Sequence, residues 1–132
     1  MFRNVAPLSA TLLVGLAAVV GAQQQAELAV AEIVITSTLT DRQPGESLDK
    51  MDSNVGRLYC WTRITGADGE ITVEHVWYKG DVEMARVPLT VAGTNWRTWS
   101  TKNIEEVWTG PWRVDVVGPD GTVLESVSFT VD

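Results

Sequence analysis

The chain is poor in the residues that most site chemistries require. Its 132 residues include one cysteine, Cys60, and one histidine, His75. A lone cysteine excludes an internal disulfide, so the core of such a chain has to be held by packing alone. Zinc and copper sites take three or four ligands, and neither a second histidine, a second cysteine nor a spaced ligand motif accompanies this pair. Positive charge is short as well: ten Lys and Arg stand against seventeen Asp and Glu, giving a formal charge of -7 and a pI near 4.6. That balance argues against a nucleic-acid partner, which needs a basic patch to displace counterions. Helical periodicity is missing beyond the N-terminal segment. A glycine-rich phosphate cradle is missing too, since Gly118 and Gly121 stand between two strand-like runs where a nucleotide loop opens a helix.

At the N-terminus, Arg3 precedes an apolar run from Leu8 to Val20 that ends in Gly21 and Ala22. This pattern predicts a secretory signal peptide over residues 1–22, cleaved between Ala22 and Gln23. The competing reading is an uncleaved anchor, but the run is shorter than the roughly 20 apolar residues of a spanning helix. Loss of Arg3 leaves nine basic against seventeen acidic residues, a mature charge of -8. Residues 23–32 are expected to form a lead-in and the start of the first strand, and residues 33–132 a single domain. The expected location is periplasmic or secreted, with membrane contact only in transit through the signal peptide.

The remaining sequence reads as strands and turns. Leu28 to Leu39 predicts the first strand, and Thr40 to Asn54, with Pro44 and Gly45, a surface loop with one helical turn at Ser47 to Asp52. A loop of this length is either a crossover between sheets or functional in itself. Arg57 to Lys79 reads as two strands joined in a hairpin by Gly66, Ala67, Asp68 and Gly69. With Thr65 opposite Glu70, Leu58, Cys60, Thr62 and Ile64 share one face with Ile71, Val73, His75 and Trp77. Tyr59, Trp61 and Arg63 then share the other with Thr72, Glu74, Val76 and Tyr78. Val82 to Val91 follows a turn at Gly80 and Asp81, with Pro88 marking an edge or a bulge. Trp96 to Ser100 is a short strand, Thr101 to Val107 irregular, and Trp112 to Val117 a strand with Trp112, Val114 and Val116 in phase. A type I turn over Gly118, Pro119, Asp120 and Gly121 leads into the last strand, Thr122 to Val131. About seven short strands without helices predict an all-β fold, an immunoglobulin-like antiparallel β-sandwich lacking the paired cysteines of antibody domains.

The strings RLYCWTRITG, HVWYKGDVEMARVPLTV, NWRTWSTK and WTGPWRVDVVGPDGTVLESVSFTV, in that order, resemble an uncharacterised bacterial family, domain of unknown function 2914, over Ile33 to Val131. The resemblance implies an exported or membrane-tethered module, often found beside other domains, and the family has no established activity to carry over. The family pattern includes counterparts of Cys60, His75, Trp77, Trp96, Arg97, Trp99, Ser100, Trp112 and Arg113.

Three groups of residues could carry chemistry. Cys60 and His75, opposed on one face, could form a thiolate pair or half of a metal site; alternatively both fill the interior, with the imidazole bonded to a carbonyl or hydroxyl. Glu105 and Glu106 beside Trp108 match a glycosidase only in residue type, and charge on solvated loops is the default explanation for them. The tryptophans and arginines form a third group, with Trp96, Arg97 and Trp99 close together, Trp108, Trp112 and Arg113 likewise, and Arg63 near Trp61. They could build a stacked ladder that stiffens strands or a contact surface. Trp77 and Trp112 are expected in the core. The expectation is a non-enzymatic module, without cofactor or metal, that binds a protein or glycan through Tyr59, Trp61, Arg63, Tyr78, Arg97 and Trp99. The alternatives are a metal or redox site at Cys60 and His75, or a purely structural domain.

Overall fold

The computed structural model describes residues 27–132, so the expected signal peptide and its cleavage point lie outside the described residues. In chain order the strands are β1 (Ala29–Thr36), β2 (Leu39–Thr40), β3 (Gln43–Pro44), β4 (Lys50–Met51), β5 (Arg57–Thr65), β6 (Ile71–Lys79), β7 (Val82–Val91), β8 (Asn95–Asn103), β9 (Gly110–Val117) and β10 (Val123–Val131). Seven are long, and no helix occurs among the described residues. A three-stranded sheet in the order β1-β5-β8 packs on a five-stranded sheet in the order β4-β10-β9-β6-β7, and β2 pairs only with β3. This is the immunoglobulin-like sandwich that the strand count predicts. Compared with the four-and-three division of a constant-type domain, its fourth long strand lies beside the third rather than beside the fifth.

The expected hairpin between β5 and β6 does not form. Both sides of β5 are taken, by β1 and β8, while β6 lies between β7 and β9 in the other sheet. Gly66 and Gly69 adopt positive φ (81° and 72°), and the Gly66 N–H donates to the Thr94 carbonyl at 3.1 Å, tying the link to the next turn along the edge. Turn composition permits a chain reversal within a sheet or a step of about 10 Å to the facing sheet, and it does not distinguish them. The assignment of faces holds nevertheless, because alternation is a property of each strand by itself. Leu58, Cys60, Thr62 and Ile64 are buried on β5, as are Val73, His75 and Trp77 on β6, and the two sets face each other across the sandwich. Among the long strands, the tight hairpins are β6–β7, across Gly80 and Asp81, and β9–β10, where the Gly121 N–H closes the predicted turn on the Gly118 carbonyl at 3.0 Å.

The long connection after β1 also departs from expectation. No helical turn forms at Ser47 to Asp52; instead β4 pairs in parallel with the end of β10, Lys50 with Thr130 and Met51 with Val131. The chain therefore visits the other sheet and returns, a crossover in part, and its first half folds as the β2–β3 hairpin. β8 continues to Asn103, past the predicted end at Ser100, because its partner β5 extends to Arg57 and offers pairing to the last residue.

The interior is divided along the strands. One apolar cluster contains Leu58, Cys60, Trp77, Trp112, Val114 and Phe129, and a second contains Ile64, Ala67, Val73, Val91 and Val116. Trp77 meets Phe129 edge-on with centroids 6.2 Å apart, and Trp112 stacks on the same ring at 5.9 Å; such pairs add about 0.5–1.5 kcal/mol each beyond area burial. Between the clusters lies a layer of buried polar groups, Thr62, His75 and Ser100.

Candidate functional site

Alternation on β5 turns Tyr59, Trp61 and Arg63 away from the core, onto the outer face of the three-stranded sheet. Register sets Trp99 opposite Trp61, Arg97 opposite Arg63 and Thr101 opposite Tyr59 on β8, with Glu32, Val34 and Thr36 of β1 on the other side. Five of the six predicted binding residues are thus gathered on one face. Tyr78 is not among them: it belongs to β6, on the outer side of the opposite sheet, where the Arg113 guanidinium lies 4.4 Å from its ring centroid. Its inclusion depended on the β5–β6 hairpin.

Trp61 is not partly wet as expected but 2% exposed. Its cover is the β2–β3 hairpin, whose tip residue Arg42 accepts the indole N–H through its main-chain carbonyl at 3.0 Å and holds its guanidinium 5.8 Å from the Trp99 ring centroid. The two turn residues, Asp41 (φ 52°) and Arg42 (φ 64°), are both left-handed. Hairpins of this kind favour Asn-Gly or Asp-Gly, and an arginine in the second position stores strain. At the base, the Gly45 N–H donates to the Thr38 carbonyl at 2.9 Å, and a Cβ on Gly45 would collide with Thr38 Oγ1. Sequence reasoning missed Arg42, because Asp-Arg between two short runs carries none of the glycine that marks a tight hairpin.

The charges on this face oppose those of the whole chain. Arg42, Arg57, Arg63 and Arg97 lie here, four of ten Lys and Arg in the sequence, against the carboxylates of Glu32 and Asp41. Arg63 is occupied, with Nε 3.0 Å from Glu32 Oε1 and Nη1 donating to Asn95 Oδ1 at 3.2 Å, and Arg57 Nε donates to Asn103 Oδ1 at 3.3 Å. Arg97, half-buried, has no hydrogen-bonding or ionic partner among the described residues. Where arginine or lysine does stack on a ring, the partners are not the close sequence neighbours that a ladder reading paired. The cations over aromatic rings are Arg42 on Trp99, Lys102 on Trp108 and Arg113 on Tyr78.

Cys60 and His75 come from different sheets and are both fully buried. The Thr62 hydroxyl donates its one proton to the Thr98 carbonyl at 2.9 Å, so toward His75 Nε2, 3.2 Å away, it can only accept. Nε2 therefore carries the ring proton, and Nδ1 accepts from the Ser100 hydroxyl at 2.7 Å. The Ser100 oxygen in turn accepts the Trp77 indole N–H at 3.0 Å. Each donor meets an acceptor, and the buried side-chain polar atoms among the described residues all have partners. Burial lowers the His75 pKa to about 4 and pushes the Cys60 thiol well above its ordinary value. With both ring nitrogens committed to hydroxyls and the thiol protonated, the pair is placed as interior filling. No group of three or more metal-ligating side chains occurs among the described residues.

Glu105 and Glu106 are exposed on the β8–β9 loop, beside a shallow depression of about 430 Å³ lined also by Asn54, Ile104 and Val107. They project no convergent pair into a cleft.

Residues 70–131 match the model of a family described as protein of unknown function (DUF2914), the same family that the sequence blocks resemble. No curated protein matches the chain. Among solved structures, the β-glucosidase from Listeria innocua in complex with glucose aligns over 80% of this chain and 16% of its own, at 11% identity and a TM-score of 0.48. The GH3 β-glucosidase of Bifidobacterium adolescentis aligns over 80% and 17%, at 12% identity and a TM-score of 0.40. The chain spans about a sixth of the length of these structures.

Proposed function

We propose that this domain is an exported, non-enzymatic binding module, working in the periplasm or outside the cell, that recognises a protein or glycan through the outer face of its three-stranded sheet. The observation that carries this is Arg97, half-buried and without an anion among the described residues, set diagonally across the β5–β8 pair from Trp61 and beside Trp99 on one strand face. Its nitrogens reach solvent and are committed to no group among the described residues, so a ligand that supplies an anion gains a charge-assisted pair on this fork. Binding energy concentrates in tryptophan, tyrosine and arginine, and Tyr59, Arg63, Arg97 and Trp99 supply all three types at half-buried positions. A nucleic acid fits poorly, since the basic patch is confined to one sheet face of an acidic chain.

The test compares Arg97→Ala and Trp99→Ala with wild type for thermal stability and for binding to glycan arrays and immobilised envelope proteins. Both variants are expected to fold with nearly unchanged Tm and to lose the wild-type ligands. Retention of every wild-type ligand, or unfolding as severe as that of Trp77→Ala, sinks the binding role of this face.

A further inference from the structure

Resting on that binding role, we propose that the face takes an acidic oligosaccharide, a chain of carboxylate-bearing sugars, and that the β2–β3 hairpin is an internal substitute for it, lying in the ligand's place until displaced. Arg42 makes two kinds of contact at once. Its carbonyl accepts the Trp61 indole N–H at 3.0 Å, and its flat guanidinium covers the Trp99 ring at 5.8 Å. A pyranose ring offers the same pair, oxygen acceptors at its rim and a C–H face that lies on an indole. The third contact is one Arg42 cannot make, because Arg97 on the same face is a cation without an anion among the described residues and Arg42 is itself a cation. A uronic acid makes all three: a hydroxyl or ring oxygen for Trp61 Nε1, an apolar face for Trp99, and a carboxylate for the planar fork of Arg97. Charge complementarity favours the acidic sugar over a neutral one, since with the hairpin displaced Arg57, Arg63 and Arg97 of the sheet face are set against Glu32. The stacking surface favours a sugar over an acidic peptide, whose carboxylates come without a ring face.

The hairpin is suited to leaving. Arg42 is exposed, both tip residues are left-handed, and β2 and β3 pair with each other and with no strand of either main sheet. Lifting it leaves the two large sheets intact while uncovering Trp61.

The experiment titrates the domain with oligogalacturonate, with a neutral cello-oligosaccharide of equal length and with a poly-glutamate peptide, at low and high salt. Oligogalacturonate is expected to bind and to weaken with salt. Arg97→Ala should reduce its affinity about tenfold or more. Arg42→Ala should raise it roughly three- to fivefold by removing the competing cation, and Gly45→Ala, which forces the hairpin base apart, should raise it as well. Equal binding of the neutral oligomer, or stronger binding of poly-glutamate, overturns the acidic-sugar assignment. Arg42→Ala weakening binding as Arg97→Ala does overturns the substitute role, since the hairpin is then a clamp. Loss of oligogalacturonate binding while the glycan or protein capture of the preceding experiment persists defeats this inference alone; loss of both defeats the binding role as well.

Discussion

His75 is held neutral by its surroundings, and that has a measurable pH dependence. An exposed imidazole titrates near 6.5, whereas burial lowers that of His75 to about 4. Below pH 6.5 the unfolded chain takes up a proton that the folded chain refuses. The stability contributed by the neutral ring is therefore complete above about pH 6.5 and is lost as pH falls toward 4, at about 1.4 kcal/mol per pH unit and about 3 kcal/mol in all. Since the chain has one histidine, urea denaturation between pH 6.5 and 5 reads this group largely by itself; His75→Gln is expected to flatten the slope, and an unchanged slope counts against the buried neutral ring. Cys60 gives a second residue-level prediction. Native protein should react with thiol reagents only as fast as it unfolds, and Cys60→Ala should cost about 1–2 kcal/mol through the small cavity left. Both burials follow from alternation along β5 and β6, and so were legible in the sequence. Alternation also put Thr62 on the face of His75, but Ser100 was not legible as a partner, since it belongs to β8, whose position next to β5 depends on sheet order.

At the scale of elements, the sequence marks the turns more reliably than it says what they join. Gly80-Asp81 and Gly118 to Gly121 join neighbours in a sheet, and Gly66 to Gly69, with equal turn character, joins strands of opposite sheets. Nothing local separates these cases, because the deciding fact is that β1 and β8, distant in sequence, already flank β5. That error moved Tyr78 onto the wrong surface, while the glycine-free Asp41-Arg42 turn, read as part of a loop, left Trp61 without its cover. The consequence for mutation is specific. Trp61→Ala is expected to cost about 3–5 kcal/mol, comparable with Trp77→Ala, because both indoles are buried and hydrogen-bonded. Arg63→Ala removes a largely exposed pair with Glu32 and an exposed hydrogen bond to Asn95, and should cost about 1 kcal/mol or less. Chemical denaturation of the three variants checks the order; a Trp61→Ala protein as stable as Arg63→Ala shows that the hairpin does not pack on the indole.

At the scale of the molecule, a sandwich without disulfides relies on the fit between its two sheets, and apolar contacts alone specify that fit loosely. One sheet sliding by a pair of residues along the other would still bring valine, leucine and isoleucine together. The central polar layer does not tolerate such a slide, because His75 finds a hydroxyl on each nitrogen in one alignment only, with Thr62 and Ser100 from the facing sheet. A triple replacement, Thr62→Val, His75→Leu and Ser100→Ala, is expected to retain the β-rich far-ultraviolet spectrum and much of the stability while losing dispersion in the methyl and indole NMR signals. A triple variant with native-like dispersion shows that packing alone sets the alignment. The single histidine is then less a reactive group than an address: it tells one sheet where on the other to stop.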